Sequence, residues 1–248
     1  MKTSIIIPTL NEELYIGQLL SSIVAQSDKP HEVIVIDSGN LDKTESIVKL
    51  YKDRLPISYV AADGKGAARA RNTGAKRATG DFVYFVDSDC TLPPDNLRKI
   101  TDAVRKQKLD VALMPGRMSS GKHWYTRSGI YLMNGYVRLM RRTPWPIGFS
   151  CFAINRELFM QSGGFDATMP IMEDYDLILR LHRAGGKIGY VKSTHFDASD
   201  RRFVNRPDRI ATAFRAEVYR YTHGLKVHND FKYEMGGKPA PKSKKKSN

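Results

Sequence analysis

The chain has 248 residues, 41% hydrophobic and 27% charged, with a formal net charge of +14; this excludes a low-complexity or disulfide-built chain and leaves enough apolar residue for a buried core. Its two cysteines, Cys90 and Cys151, have no metal-knuckle spacing and suit a reducing compartment. No stretch reaches the roughly 18 apolar residues that span a bilayer, and the residues before the first strand are too few for a signal-peptide core, so the expected location is cytoplasmic, free or peripheral at the cytoplasmic face of a membrane.

In chain order, "SIIIP" reads as a short buried strand and "NEELYIGQLLSSIVAQ" as a helix with Ile16, Leu19, Leu20, Ile23 and Val24 on one face. Asn11 is its candidate N-cap, with Glu12 and Glu13 at the positive end of the helix dipole. "EVIVID" is a second strand. "DKTESIVKLYKDR" is a second helix, opened by a capping-box pattern of Asp42 and Glu45. "ISYVA" is a strand, "GAARARNTGAKRATG" a helix of small and basic residues, and Phe82 to Val86 a further buried strand. Then follow a helix in "PPDNLRKITDAVRKQ", a strand in "DVALMP", a helix in "TRSGIYLMNGYVRLMRR" and a strand in "FSCFAIN". "EDYDLILRLHRAGG" is a helix stopped by Gly185, "IGYV" a strand and "DRIATAFRAEVYRYTHG" a last helix. From about Met235 the composition turns to Gly, Pro, Lys and Ser, which predicts disorder. From Lys232 to the end, six lysines and one acid place +5 of the charge there. The remaining +9 implies an anionic partner: a nucleotide, a nucleic acid or an acidic lipid surface.

Strands separated by helices predict an α/β fold with a mostly parallel sheet and helices on both faces. Ligands of such sheets collect beyond the carboxyl ends of the strands. Asp37, Asp63 and Asp87 each lie at or just after such an end, so all three can face one crevice. A single such aspartate is most simply a turn residue; three at equivalent positions favour a site. Asp87 and Asp89, one residue apart on a turn, suit a hard divalent cation that takes its other ligands from a diphosphate.

"SIIIPTLNEE", "VIVIDSG", "GAARARNTGAKRATGDFVYFVDSDC", "GGFD" and "EDYDLILRLHRAG", in that order from Ser4 to about Val191, resemble a family 2 glycosyltransferase of the GT-A, Rossmann-like fold. The resemblance implies one domain over 1–234, with a donor half at 1–115, an acceptor half at 116–234 and a disordered basic tail at 235–248. It also implies inverting transfer of a sugar from a nucleotide-diphospho-sugar, a UDP-sugar by default, to a glycan or lipid-linked acceptor, with Mn²⁺ or Mg²⁺. Pro8, Thr9 and Glu12 would border the nucleoside pocket and Asp37 would bind the base. Asp63, Lys65, Gly66 and Arg69 match the nucleotide-side loop and helix, while Arg71 and Asn72 read mainly as its scaffold. Asp87, Ser88 and Asp89 match the Asp-X-Asp motif, Asp87 nearer the ribose and Asp89 the better metal ligand. Asp174 matches the catalytic base, with Glu173 beside it; without the resemblance, these two read equally well as charge at a helix N-terminus.

An acceptor hydroxyl needs a carboxylate to take its proton, and the departing diphosphate needs cations, so these residue types fit the chemistry. His195 could add a third metal ligand, although a lone histidine is more often structural. "ASDRRF" is similar to a Ser-X-Arg-Arg element of some members, which would let Arg201 and Arg202 clamp the diphosphate; the plain alternative is a solvated basic turn. The Gln-X-X-Arg-Trp motif of processive synthases is absent, which favours single transfer. The Ile130–Met140 stripe reads as core or a lid, or as a shallow membrane contact with Tyr131, Tyr136, Trp145 and its arginines at headgroup level. Two alternatives remain open: a sugar nucleotidyltransferase, and a basic nucleic-acid-binding protein, although no nucleic-acid-binding motif is present.

Overall fold

The structure is a computed structural model that describes residues 1–39, 41–119, 124–141, 143–144, 146–149, 151–169, 171–202, 215, 217–220 and 222. The apolar runs form a seven-stranded sheet in the order β3-β2-β1-β4-β8-β6-β9. Its strands are β1 (Thr3–Thr9), β2 (Glu32–Asp37), β3 (Ile57–Ala61), β4 (Phe82–Phe85), β6 (Val111–Leu113), β8 (Phe152–Asn155) and β9 (Ile188–Tyr190). All neighbours pair in parallel except at β8, which runs antiparallel to both β4 and β6. The sheet is therefore mostly parallel, and β1 to β4, β6 and β9 all end along one edge.

Strand residues point alternately to the two faces, and each face is covered by helices. Ile5, Ile7, Val33, Val35 and Tyr84 meet α1 (Ile16–Val24), α2 (Thr44–Lys49) and α4 (Asn96–Gln107). Ile6, Ile34, Ile36, Val83 and Phe85 meet α3 (Ala67–Arg77), α5 (Trp124–Met140), α6 (Arg156–Gln161) and α7 (Glu173–Arg183). Helix α3 is built of small residues because it lies close to the sheet. A Cβ on Gly74 would stand 2.4 Å from the Ile6 Cγ2.

A second sheet, β5-β10-β7, is formed by β5 (Cys90–Thr91), β7 (Gly116–Met118) and β10 (Phe196–Ala198). Periodicity did not predict these strands, nor α6, because two- to six-residue elements carry too little pattern. The first helix also starts later than Asn11. Asn11 takes a positive φ of 56°, and residues 11–15 form a turn. There the Glu13 N–H donates to Asp42, and the Glu13 carboxylate accepts from the Lys43 N–H. The capping box at Asp42 does not form: Glu45 pairs with Lys49 at 2.8 Å instead. Helix α2 ends at Lys49, short of the predicted Arg54. The last helix, expected over 208–224, lies mostly outside the described residues, and the tail at 235–248 wholly so. Among the described residues no helix is long and apolar enough to cross a membrane.

Candidate active site at the carboxyl edge of the sheet

The ends of β1 and β2 place the first candidates. Thr9 closes β1 and donates its hydroxyl to the Ile36 carbonyl at 3.2 Å, with Pro8 just before it. Asp37 closes β2 and is buried. Its carboxylate accepts from the Gly39 N–H at 3.1 Å and from the Tyr59 hydroxyl. Burial and Asp37 push the Tyr59 phenol well above its ordinary value. Asp63, Lys65 and Arg69 are exposed after β3, and Gly66 caps α3 with a φ of 119° that favours glycine.

Arg71 is the centre of the arrangement. It is buried in α3, and one guanidinium nitrogen donates to Asp87 Oδ1 at 2.8 Å while another donates to Glu173 Oε1 at 2.9 Å. Burial works against the charged guanidinium, yet Asp87 and Glu173 hold it above its usual value. Asp87 follows β4 and Glu173 opens α7, so one side chain joins residues 86 apart in the chain (173 minus 87). Asp174 sits beside them and accepts from the Tyr175 N–H at 3.0 Å. Burial, then the neighbouring Glu173 charge, push its carboxyl up to about 7, against the pull of Arg71. A carboxyl poised there is ionised about half the time near neutral pH and can accept a proton. Asn72, next to Arg71, clamps both the N–H and the carbonyl of Phe165 through its amide, which ties α3 to the "GGFD" turn.

The second cluster joins Glu12, Asp89 and Arg201. Arg201 lies in a 3-10 turn, Asp200–Arg202, just after β10. Its guanidinium donates to both Glu12 oxygens at 2.6 and 2.8 Å and to Asp89 Oδ2 at 3.0 Å, and stacks 4.0 Å from the Tyr15 ring centroid. The Asp89 carbonyl accepts from the Ser199 N–H, which locks the turn onto β10. Ser88 is buried between the two aspartates. The Arg202 side chain lies outside the described residues.

Among the described residues no three His, Cys, Asp or Glu side chains converge as a metal cage. Asp89 is the carboxylate that could hold a hard divalent cation completing its shell with substrate phosphates, and here its Oδ2 accepts from Arg201. His195, the candidate third ligand, lies just before β10. β10 runs antiparallel to β5 with Asp197 opposite Thr91 and Ala198 opposite Cys90, so Ser199 comes level with Asp89 and His195 lies at the other end of β10. Its ring instead faces Asp197 at 3.5 Å, and its carbonyl accepts from Asn96. Burial lowers its pKa, with Arg117 and Lys99 adding to the effect and Asp197 opposing it.

Spacing alone did not reveal three participants: Tyr59 on Asp37, Tyr15 under Arg201, and Arg71 as a bridge rather than a scaffold. A buried arginine in a helix of small residues was the one available signal for Arg71, since such a charge requires buried partners.

Residues 4–162 match the family model described as Glycosyl transferase family 2. The chain is similar to the poly(ribitol-phosphate) beta-N-acetylglucosaminyltransferase TarS of Staphylococcus aureus, 35% identical over 127 residues that make up 49% of this chain and 22% of that protein. It is also similar to an uncharacterized glycosyltransferase of Haemophilus influenzae, 26% identical over 182 residues, 72% of this chain and 61% of that one. The chain thus spans only about a fifth of the TarS sequence. Among solved structures, S. aureus TarS 1-349 superposes with a TM-score of 0.69 at 23% identity, covering 94% of this chain and 67% of that one. Mannosyltransferase PcManGT from Pyrobaculum calidifontis, in complex with GDP-Man and Mn²⁺, gives 0.64 at 24% identity, with 89% and 61% covered. At these identities the structural likeness is one of fold.

Proposed function

The chain belongs to glycosyl transferase family 2 and has its α/β GT-A fold, and from that premise we propose that it transfers a sugar from a nucleotide-diphospho-sugar to an acceptor hydroxyl with inversion, using Asp174 as base. The observation that carries the proposal is the Arg71 bridge. Through it the Asp87 turn, on the donor side, and the Glu173–Asp174 pair, on the acceptor side, face one another across a single guanidinium. Nucleotidyl transfer and nucleic-acid binding have no comparable support.

In this reading the ionised Asp174 takes the acceptor proton as the acceptor oxygen bonds to the anomeric carbon. The bond from that carbon to the diphosphate oxygen breaks, and the nucleoside diphosphate leaves with the electron pair from the opposite face. Arg71 holds Glu173 in place beside Asp174, where the Glu173 charge raises the Asp174 carboxyl and the Arg71 charge draws it down. Asp37 and Thr9 border the base and Asp87 the ribose, while Asp63, Lys65, Gly66 and Arg69 line the loop on the nucleotide side. Arg201, held by Glu12 and Asp89, is the cation placed to exchange a carboxylate for a phosphate oxygen. Mg²⁺ or Mn²⁺ on Asp89 would supply positive charge to the leaving diphosphate.

Structural neighbours carry UDP-GlcNAc in TarS and GDP-Man in PcManGT, so UDP-sugars are the first donors to try and GDP-sugars the second. A glycan or lipid-linked hydroxyl, glycosylated once, is the acceptor class. The test is a donor screen with Mn²⁺ or Mg²⁺, using Asp174→Asn as the blank. Asp174→Asn should lose about 10²- to 10⁴-fold in turnover, the range for a removed general base, while still binding donor by calorimetry. Unchanged turnover in Asp174→Asn would overturn the assignment of the base.

A further inference from the structure

Helix α5 turns large apolar side chains toward solvent. Trp124, Tyr131, Leu132 and Leu139 are 77%, 77%, 70% and 64% exposed. At 100° per residue the four fall on one half of the helix circumference, opposite Val137 and Met140, which are buried in the core. Ser128 and Gly135 lie among them, so the rings and leucines project past small neighbours. Exposed Arg127 and Arg138 border the same face, and no Asp or Glu occurs from Trp124 to Met140. The Glu217 carboxylate approaches this helix from its inner side, where it accepts from Tyr136 and pairs with Arg220.

We propose that this face of α5 seats in the headgroup layer of an anionic bilayer. An interfacial helix needs an apolar face of moderate area, aromatic residues that tolerate the polar boundary, and basic residues at its border. Helix α5 has all three. The sign of the charge selects the occupant: arginines on an acid-free helix of a chain with net charge +14 complement anionic lipid. The inner face of α5 gives the contact a purpose. Met133 there lies 3.9 Å from the Tyr175 hydroxyl, next to Asp174. A surface held on the outer face of α5 is thus joined through this helix and Tyr175 to the neighbourhood of Asp174. Bilayer binding goes beyond the transfer reaction, and the measurement below reads no enzymatic product, so either can fail without the other.

The full chain is floated with vesicles of phosphatidylcholine alone or with a minority of phosphatidylglycerol, at low and high salt. The expected result is flotation with the anionic vesicles that salt weakens. Leu132→Ser with Leu139→Ser should lower partitioning by at least about tenfold, as expected when buried apolar area is removed. Arg127→Glu with Arg138→Glu should abolish the preference for anionic lipid. Both pairs are exposed, so Tm reports whether the fold is intact. Trp145→Phe leaves Trp124 as the one tryptophan of the two in the chain, and its emission should shift to the blue on anionic vesicles. Absence of flotation overturns the proposal. So does flotation that ignores the leucine pair and vanishes only on removal of 235–248. A dimer in light scattering that the leucine pair dissociates, without flotation, would assign the face to a second copy and overturn it too.

Discussion

Asp174 is held between opposing influences whose balance can be measured. Burial and Glu173 raise its carboxyl to about 7, and Arg71 opposes them. A base must be ionised, so kcat/KM should fall as pH drops through about 7. Arg71→Met removes the opposing cation, so that limb should move to higher pH, whereas Arg71→Lys should keep it nearer its place; a limb that ignores both changes would remove Asp174 as the titrating group. Arg71→Met should also cost about 3–5 kcal/mol of stability, because Asp87 and Glu173 lose a buried partner. Linkage adds a second expectation. A carboxyl whose folded pKa is raised favours the fold while protonated, below its unfolded value of 3.8, and that contribution disappears as pH rises through about 7. Asp174→Asn should therefore raise Tm at about pH 8 and change it little at about pH 4, which scanning calorimetry at the two pH values would show. Asp174, Asp87 and Asp89 were legible as candidates because their motifs are local. Tyr59 and the bridging role of Arg71 were not, because spacing does not say which side chains meet across elements.

At the scale of elements, the contact of α3 with β1 is the sharpest constraint. Gly74→Ala would place a methyl 2.4 Å from Ile6 Cγ2 and 3.2 Å from Ile36 Cγ1. The helix must lift, at about 1–3 kcal/mol, and Tm should fall by about 2–4 °C for each kcal/mol. On the same face of the sheet Phe85 packs against Phe152, Phe159 and Phe165 with ring centroids 5.4, 5.3 and 5.1 Å away. Phe85→Ala should cost about 3–5 kcal/mol in a denaturant titration; a cost near zero would mean the cluster is not packed as described. The long strands and helices were legible because each spans several periods of its pattern. β5, β7 and β10 were not, although β10 presents both Ser199 to Asp89 and Arg201 to Glu12. The start of α1 was misplaced because Glu12 and Glu13 looked like first-turn charges, whereas their carboxylates serve Arg201 and the Lys43 N–H.

For the whole molecule, a nucleoside diphosphate with Mn²⁺ at a hundredfold excess over its Kd should stabilise the fold by about 2.7 kcal/mol. That corresponds to a rise in Tm of about 5–11 °C for a chain of this size. Oligonucleotides should give no such rise, and the reverse pattern would favour the nucleic-acid reading. By itself the sequence determined the succession of buried strands, hence a mostly parallel sheet with acids along one edge, because hydrophobic period is a property of a few consecutive residues. Only the tertiary structure decided how those acids pair. Arg71 takes Glu173 across 102 positions of sequence, Arg201 takes Asp89 across 112 and Glu12 across 189, and His195 goes to Asp197 rather than to Asp89. An ion pair depends on where two side chains point once sheets and helices have packed, and no local pattern in the chain carries those directions.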